Sequence, residues 1–288
     1  MDGVLVVDKP EGWTSHDVVN KIRRIAGTRA VGHLGTLDPI ATGVLPLVVG
    51  RATRLAQFYT RADKSYEAVV RFGFSTDSYD RAGTATMPET EPVIDAGQLE
   101  RALEKMRGKI LQSPPPVSAK KVAGVPAYKL ARRNIDPELK AVEVEIYELK
   151  ILNISGALVS LSLRCSAGTY VRTIAHEAGL ALGCGAHVHA LRRTASGEFT
   201  IQNARTIAEL EAAAPGALIP TSDLLPHFPN IVVDDLTAGQ IRNGRDFHVS
   251  PFRTQPGTQY VKALSGNGEV IAIGEAKLPN VYHPIIVI

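Results

Sequence analysis

The stretch GHLGTLDPIATGVLP, residues 32–46, contains three glycines, two prolines and a single acidic residue, Asp38. Its glycines and prolines predict an irregular loop, and the apolar run VLPLVVG (44–50) at its end is typical of a short buried strand. Asp38 and Pro39 together have a simple interpretation as a turn. The alternative is that the loop holds this carboxylate for its chemistry, and the sequence around it must distinguish the two.

A carboxylate that is buried on such a loop needs a cationic partner, because removing an isolated charge from water is costly. The arginines Arg172, Arg192 and Arg193 are candidates, and His33 lies close to Asp38 in the sequence. Composition and spacing alone leave the choice among them open.

The length and composition indicate a soluble protein with one large domain and a smaller one. The chain has 288 residues, of which 44% are hydrophobic and 21% charged. No apolar run approaches the roughly 18 residues that would span a bilayer. The first residues lack the basic region of a signal peptide, and the chain has only two cysteines, Cys165 and Cys184. We therefore expect a cytoplasmic protein.

Periodicity predicts a mixture of strands and helices on both sides of the Asp38 loop. A helix is expected to begin at Thr14 or Ser15 and to end near Gly27. Further helices are predicted over 97–110 and 171–182, and strands over 3–9, 64–74, 142–152 and 157–164, the last two as an antiparallel pair. The Ala- and Pro-rich segment 212–226 predicts a hinge, after which 231–288 predicts a small β-barrel or open sheet.

Positive charge is concentrated in one segment. Residues 105–133 contain eight Lys or Arg residues and no Asp or Glu, whereas the whole chain has a net charge of only +3. This segment also contains Pro114, Pro115 and Pro116, which favour a long loop. A basic, adaptable loop suits a polyanion such as RNA or DNA, although a solvated surface loop is the simpler interpretation.

Several other chemistries find no support in the sequence. It has no Gly-Lys-Ser/Thr phosphate loop, no dinucleotide-binding glycine pattern after a strand and no GxSxG nucleophile elbow. Cys184, His187 and His189 resemble half of a zinc site, but their spacing matches no standard finger. We therefore expect these three residues to pack within the fold, and we predict no metal site.

Five segments resemble the TruB family of tRNA pseudouridine synthases, in the same order and at similar spacing. They are DGVLVVDKPEGWTSHDVV (2–19), VGHLGTLDPIATGVLPLVVGRATR (31–54), DKSYEA (63–68), CSAGTYVRTIAHEAG (165–179) and GCGAHVHALRR (183–193). The tail segments GQIRNGRDF (239–247) and GNGEVIAIGEA (266–276) more weakly resemble a short PUA domain, an RNA-binding β-barrel.

The resemblance implies an α+β pseudouridine synthase fold with a mixed, mainly antiparallel sheet and a small C-terminal PUA-like β-barrel. It implies a catalytic domain over 1–225, with a thumb-like basic insertion at about 113–150, and an RNA-binding domain over 226–288. The implied activity converts the T-loop uridine of tRNA to pseudouridine after base flipping, without cofactor or metal. The implied partner is the tRNA T-arm, bound by a monomer.

The resemblance also implies roles for individual residues. Asp38 matches the family's nucleophile, which attacks either C1′ of the ribose or C6 of the uracil, and Arg172 is expected to pair with it. Tyr66 is expected to stack on the flipped uracil, and His33 to prop open the T-loop. The remaining expectations are a uracil pocket lined by Tyr170 and Leu191, and phosphate contacts by Lys9, Lys64, Lys120, Lys121, Arg132 and Arg133.

Two alternatives remain open at this stage. A guide-RNA-dependent pseudouridine synthase shares the catalytic motifs, but the tail of this chain is short for that class. An RNA chaperone or binding module would act by folding tRNA without essential catalysis. The joint presence of Asp38, Tyr66 and Arg172 favours catalysis, because binding alone does not require that set.

Overall fold

The computed structural model describes residues 1–118, 121–122, 125–126 and 140–288. Its helices are α1 (Ser15–Ile25), α2 (Ala96–Glu104), α3 (Val171–Ala181), α4 (Ile207–Ala217) and α5 (Asp235–Arg242), with 3-10 turns at Gly50–Tyr59 and Thr221–Asp223. As expected, α1 begins after Thr14, whose hydroxyl accepts the Asp17 N–H while the Asp17 carboxylate accepts the Thr14 N–H. This reciprocal cap stabilises the first turn of α1.

The strands form two principal sheets and one short hairpin. In chain order they are β1 (Gly3–Lys9), β2 (Val31–His33), β3 (Ala41–Val49), β4 (Lys64–Phe72), β5 (Gly108–Gln112), β6 (Lys121–Val122), β7 (Val125–Pro126), β8 (Val142–Ser155), β9 (Leu158–Cys165), β10 (Ala186–Ser196), β11 (Phe199–Thr200), β12 (Ile219–Pro220), β13 (Asn230–Val232), β14 (Phe247–His248), β15 (Tyr260–Leu264), β16 (Val270–Leu278) and β17 (Val281–Val287).

The larger sheet has the order β12-β1-β3-β10-β4-β9-β8-β5, with β2 beside β3 and β11 beside β10. Its pairings are antiparallel except for β3 and β10, which run parallel through Leu191↔Ala41, Arg192↔Thr42 and Arg193↔Gly43. A Cβ at Gly43 would lie 2.2 Å from the Arg193 carbonyl oxygen, so the close approach of these strands requires glycine there. The parallel pair brings the Asp38 loop beside the strand that carries Leu191.

The smaller sheet has the order β13-β15-β16-β17-β14 and packs against α5. The expected fold class, an α+β fold with a mainly antiparallel mixed sheet and a small C-terminal β-unit, is confirmed. One apolar cluster continues from β1 and β3 into this second sheet through Leu224, Leu225 and Ile273, all at most 1% exposed. The segment predicted as a hinge is therefore packed: its first part belongs to α4, and β12 pairs with β1.

The predicted helix over 97–110 is wrong at its C-terminal end. Helix α2 ends at Glu104, and Gly108, whose φ of +77° suits glycine, starts strand β5. Strand β5 pairs with the first residues of β8, through Gln112↔Val142. Residues 142–150, assigned from the resemblance to the basic insertion, therefore belong to the sheet, because β5 ends at Gln112 and β8 begins at Val142.

Among the described residues, no helix combines the length and apolar character needed to cross a membrane.

Candidate active site

Asp38 lies on the loop between β2 and β3. Hydrogen bonds hold this loop at the residue before Asp38 and at the residue after it. The Ser15 hydroxyl accepts the Leu37 N–H at 2.8 Å and donates to the Leu37 carbonyl at 3.1 Å. On the other side, the Gly12 N–H donates to the Pro39 carbonyl at 2.8 Å. The loop is irregular, as its composition predicts, but hydrogen bonds to the residues on either side of Asp38, Leu37 and Pro39, fix its position.

Lys9 supports the same loop from within the protein. Its side chain is fully buried, and its ammonium donates to the carbonyls of Trp13 at 2.7 Å, Pro10 at 2.9 Å and Pro39 at 3.4 Å. Burial lowers the pKa of Lys9 to about 8. The geometry does not favour the expected contact between Lys9 and an RNA phosphate, because the residue has no exposed surface and its ammonium is occupied by these carbonyls.

Arg193 holds the other end of the loop. Its guanidinium is 1% exposed and donates to the carbonyls of Val44 at 2.7 Å, Gly35 at 3.0 Å and Thr36 at 3.2 Å. The same group lies beside the Tyr66 hydroxyl. Three carbonyls satisfy most of the donors of this buried cation, which fits a structural fork better than a counter-ion.

Arg172 is the arginine that pairs with Asp38. Its Nε lies 2.9 Å from Oδ2 of Asp38, and its side chain is 4% exposed. Arg192 instead reaches Asp8 at 2.8 Å. The three candidates left open by the sequence are thus distinguished by position, because only the first turn of α3 directs its arginine at the loop carboxylate.

A second carboxylate, Asp80, shares this guanidinium and was missed by the sequence analysis. Its Oδ2 lies 3.4 Å from Nη1 of Arg172, and the same Nη1 donates to the Ser78 carbonyl at 2.9 Å. The other oxygen of Asp80 accepts from the Ser78 hydroxyl at 2.7 Å and from the Ala82 N–H at 3.0 Å. Asp80 therefore holds Arg172 through Nη1, whereas Asp38 lies beside Nε.

The surroundings shift the pKa of Asp38 in opposing directions. Burial raises it above the ordinary value of 3.8, the Arg172 guanidinium lowers it, and the nearby Asp80 carboxylate raises it again; the result is a raised pKa. The Asp38 side chain is nevertheless 36% exposed, so the carboxylate can be reached from the solvent side. Such a group can act as a nucleophile once it is ionised.

The carboxylate faces a cleft of about 540 Å³ that contains most of the residues named from the sequence. Apolar and aromatic walls come from Tyr66 and Leu191, which are 9% and 7% exposed. Burial raises the pKa of the Tyr66 hydroxyl, so the phenol is neutral at ordinary pH. The cleft is lined by His33, Leu34, Gly35, Thr36, Leu37, Asp38, Ala56, Thr60, Lys64, Tyr66, Ala167, Gly168, Thr169, Tyr170, Val171, Arg172, Leu191 and Arg193.

Three further residues named from the sequence lie at the cleft. His33 is exposed at the end of β2, and its Nδ1 accepts the Gly35 N–H at 3.4 Å, which leaves Nε2 free to carry the proton. Tyr170 is half-buried at the start of α3. Lys64 is 8% exposed and donates to the Ala62 carbonyl, so much of its charge is directed at the protein.

The residues expected to contact the RNA backbone from the basic insertion are not located by the structure. Lys120, Arg132 and Arg133 lie outside the described residues, as does the side chain of Lys121. His187, in the motif weighed as half a zinc site, is buried with Nδ1 3.2 Å from the Phe74 carbonyl oxygen, which is a packing role.

Two family models match most of the larger unit. Residues 23–171 match the TruB family pseudouridylate synthase N-terminal domain, and residues 172–217 match the tRNA pseudouridylate synthase B C-terminal domain. The first match contains Asp38, Tyr66 and Asp80, and the second begins at Arg172.

Relatives match over the whole chain. A protein of Solibacter usitatus named tRNA pseudouridine synthase B is 61% identical over 100% of both chains. Proteins of the same name from Azoarcus sp. and Thermobifida fusca are 40% and 42% identical, over 96% and 95% of this chain and 91% and 94% of theirs.

Solved structures are similar at lower identity. A Cbf5-Nop10-Gar1 complex aligns with a TM-score of 0.71 and 28% identity, over 96% of this chain and 79% of that one. An H/ACA RNP bound to a substrate RNA containing 2′-deoxyuridine aligns with a TM-score of 0.72 and 25% identity, over 99% and 84%.

Proposed function

The chain belongs to the TruB family of pseudouridine synthases, and we propose that it isomerises the T-loop uridine of tRNA, position 55, to pseudouridine with Asp38 as the nucleophile. It is thus an isomerase. The observation that carries the role of Asp38 is its geometry: a reachable carboxylate, 2.9 Å from a buried guanidinium, faces a cleft with aromatic and apolar walls.

The reaction requires no co-reactant, because uridine and pseudouridine are isomers. The C1′–N1 bond breaks, a C1′–C5 bond forms, C5 loses its proton and N1 gains one. Asp38 can begin this sequence in two ways: attack on C1′ displaces the uracil and forms an ester, and addition to C6 forms a covalent adduct with the base. Either route needs the ionised carboxylate, whose charge Arg172 stabilises at a distance of 2.9 Å.

The volume of the cleft, about 540 Å³, and its aromatic and apolar lining support a flipped nucleotide. A uridine within a folded T-loop cannot reach Asp38 while it remains stacked, and flipping it costs a few kcal/mol. Stacking of the uracil on Tyr66 contributes about 1–3 kcal/mol, which offsets that cost. Leu191 and Tyr170 complete the walls around the base, and the exposed ring of His33 is placed at the rim to contact the opened loop.

The proposal also assigns functions to the two domains of the chain. Residues 1–225 form the catalytic domain, with the basic segment closing on the T-arm through Lys120, Lys121, Arg132 and Arg133. Residues 226–288 form a PUA-like RNA-binding domain, which the curled five-stranded sheet supports. We propose further that the protein acts as a monomer, and tRNA as substrate supports a cytoplasmic location.

The relatives favour tRNA over the guide-RNA-dependent alternative. The proteins of Solibacter usitatus and Azoarcus sp. named tRNA pseudouridine synthase B match the chain at 61% and 40% identity, whereas the H/ACA RNP structure matches at 25%. A binding module without essential catalysis does not explain why Asp38 is held beside Arg172 at the mouth of a cleft.

The proposal is tested with purified protein and an unmodified tRNA transcript, without guide RNA. We expect chemical mapping to find one pseudouridine, at the T-loop position. Absence of product, with product appearing only when a guide RNA and partner proteins are added, would support the guide-dependent alternative instead. Retained tRNA folding activity without any product would support the chaperone.

A further inference from the structure

The side chain of Gln112, in the basic segment 105–133, hydrogen-bonds to the start of α3, the helix that carries Arg172. Gln112 is the last residue of β5 and is fully buried. Its Oε1 accepts the Tyr170 N–H at 2.7 Å, and its Nε2 donates to the Tyr170 carbonyl at 3.1 Å. One amide thus bonds both backbone groups of a residue 58 positions later in the chain.

This contact requires a carboxamide. A backbone N–H can only donate and a carbonyl can only accept, so the opposing side chain must offer one acceptor and one donor at fixed spacing. Methionine has the same length as glutamine but offers neither at useful strength, and an ionised glutamate offers only acceptors. The Tyr170 carbonyl also accepts the Thr173 and Ile174 N–H groups, so loss of the amide chiefly leaves the Tyr170 N–H without the partner it has in the fold.

Tyr170 is the residue at which α3 begins, and it lines the cleft. No side chain within its own helix caps that start, so the Gln112 amide is what anchors the Tyr170 N–H. Arg172 follows two residues later, and its guanidinium reaches Asp38 from the first turn. The direction of Arg172 therefore depends on where the start of α3 is held.

A neighbouring contact acts at the same place. The Thr173 hydroxyl, 3% exposed, donates to the Ser113 carbonyl at 3.1 Å. Ser113 is the first residue after β5, where the basic segment 105–133 leaves the sheet. Two consecutive residues at this exit thus bond to the first turn of α3, on either side of Arg172 in sequence.

We propose that Gln112 is a positioning residue for the isomerisation, which acts through Tyr170 to place Arg172 against Asp38. This inference rests on the proposed function. Small displacements of catalytic groups are expensive: about 1 Å can cost on the order of 100-fold in rate. The expected effect of losing the amide is a lower rate of the chemical step, with tRNA binding retained.

The test compares Gln112→Met with Gln98→Met, a matched substitution at an exposed glutamine on α2. Single-turnover rates and tRNA dissociation constants are measured for both, together with unfolding midpoints. We expect Gln112→Met to lower the single-turnover rate at least tenfold while the dissociation constant stays within threefold, and Gln98→Met to match the wild type. A rate within twofold of the wild type in a folded Gln112→Met variant would overturn the proposal, as would a loss confined to tRNA binding.

Two more variants keep the test decisive if Gln112→Met does not fold. Thr173→Val removes only the neighbouring bond, and Gln112→Glu keeps the acceptor for the Tyr170 N–H. We expect each to lower the single-turnover rate without weakening tRNA binding, and wild-type rates in both would overturn the proposal. Failure of the wild type and of Gln98→Met to form pseudouridine would instead refute the proposed function.

Discussion

Asp80 and Arg172 form a buried ion pair next to Asp38, the proposed nucleophile: Oδ2 of Asp80 lies 3.4 Å from Nη1 of Arg172, and their side chains are 8% and 4% exposed. The guanidinium is thus held between two carboxylates, one of which, Asp38, faces the cleft. Because Asp80 already restricts the Arg172 side chain, little further conformational entropy is lost when the guanidinium pairs with Asp38.

We expect Asp80→Asn to lower the rate of the chemical step by at least about tenfold, because Arg172 loses the charge that fixes it. The asparagine carbonyl can still accept the Ala82 N–H, so the turn has a means to persist. Single-turnover kinetics with tRNA and an unfolding curve separate the two effects. An unchanged rate would show that Arg172 is placed without Asp80.

Removal of the charge at Arg172 should change the pH dependence as well as the rate. The pKa of Asp38 is already raised by burial, and Arg172 opposes that shift. In Arg172→Gln the pKa therefore rises further, and the acid limb of the rate profile moves to higher pH, because the carboxylate must be ionised to react.

Arg172→Lys is the control for that experiment, since it keeps the charge. Its acid limb should lie closer to that of the wild type. Breaking a buried ion pair costs about 3–5 kcal/mol of stability. The rate profiles are therefore recorded at a temperature below the unfolding transition of each variant, so that every protein is folded. An acid limb at the same pH in all three proteins would contradict the assigned electrostatic role.

Two substitutions at Tyr66 distinguish the contribution of its aromatic ring from that of its hydroxyl. Tyr66→Phe keeps the ring and removes the oxygen beside Arg193, so we expect the chemical step to slow while tRNA binding is retained. Tyr66→Ala also removes the stacking surface and should lose a further 1–3 kcal/mol or so of stabilisation of the flipped base. Equal tRNA affinity and equal rates in the two variants would exclude stacking.

Neutralising Lys120, Lys121, Arg132 and Arg133 together should weaken tRNA binding and reduce its dependence on salt. The affinity falls as salt rises, and each phosphate contact that is lost makes the slope of log affinity against log salt concentration shallower by about 0.7–0.9. Binding is measured across a range of salt concentrations, with the unfolding midpoint as the control. A wild-type slope in the variant would show that these residues are solvated surface charges.

The sequence predicted the fold class and the principal members of the site, but not how they are supported. The glycines and prolines of residues 32–46 predicted an irregular loop, and the motif around Arg172 indicated the partner of Asp38. The role of Asp80 could not be predicted, because an aspartate in a turn after a strand is common and its pairing depends on a contact 92 residues distant along the chain.

Local sequence patterns also could not predict which polar side chains are buried. Lys9 was expected at the RNA surface, but its ammonium donates to two carbonyls of the loop that follows it, Pro10 and Trp13, and to the distant carbonyl of Pro39. Gln112 had no distinguishing signal, because its function depends on the backbone of Tyr170. The C-terminal end of the helix predicted from residue 97 was misplaced because Gly108 is compatible with a strand start as well as a helix.

The most direct test of the site is a comparison of the wild type with Asp38→Asn, which preserves shape and removes the nucleophile. Pseudouridine at the T-loop position of an unmodified tRNA transcript is measured by chemical mapping in a single turnover. We expect full conversion by the wild type, no detectable product from Asp38→Asn, and tRNA binding by both. Equal conversion by the two proteins would contradict the account.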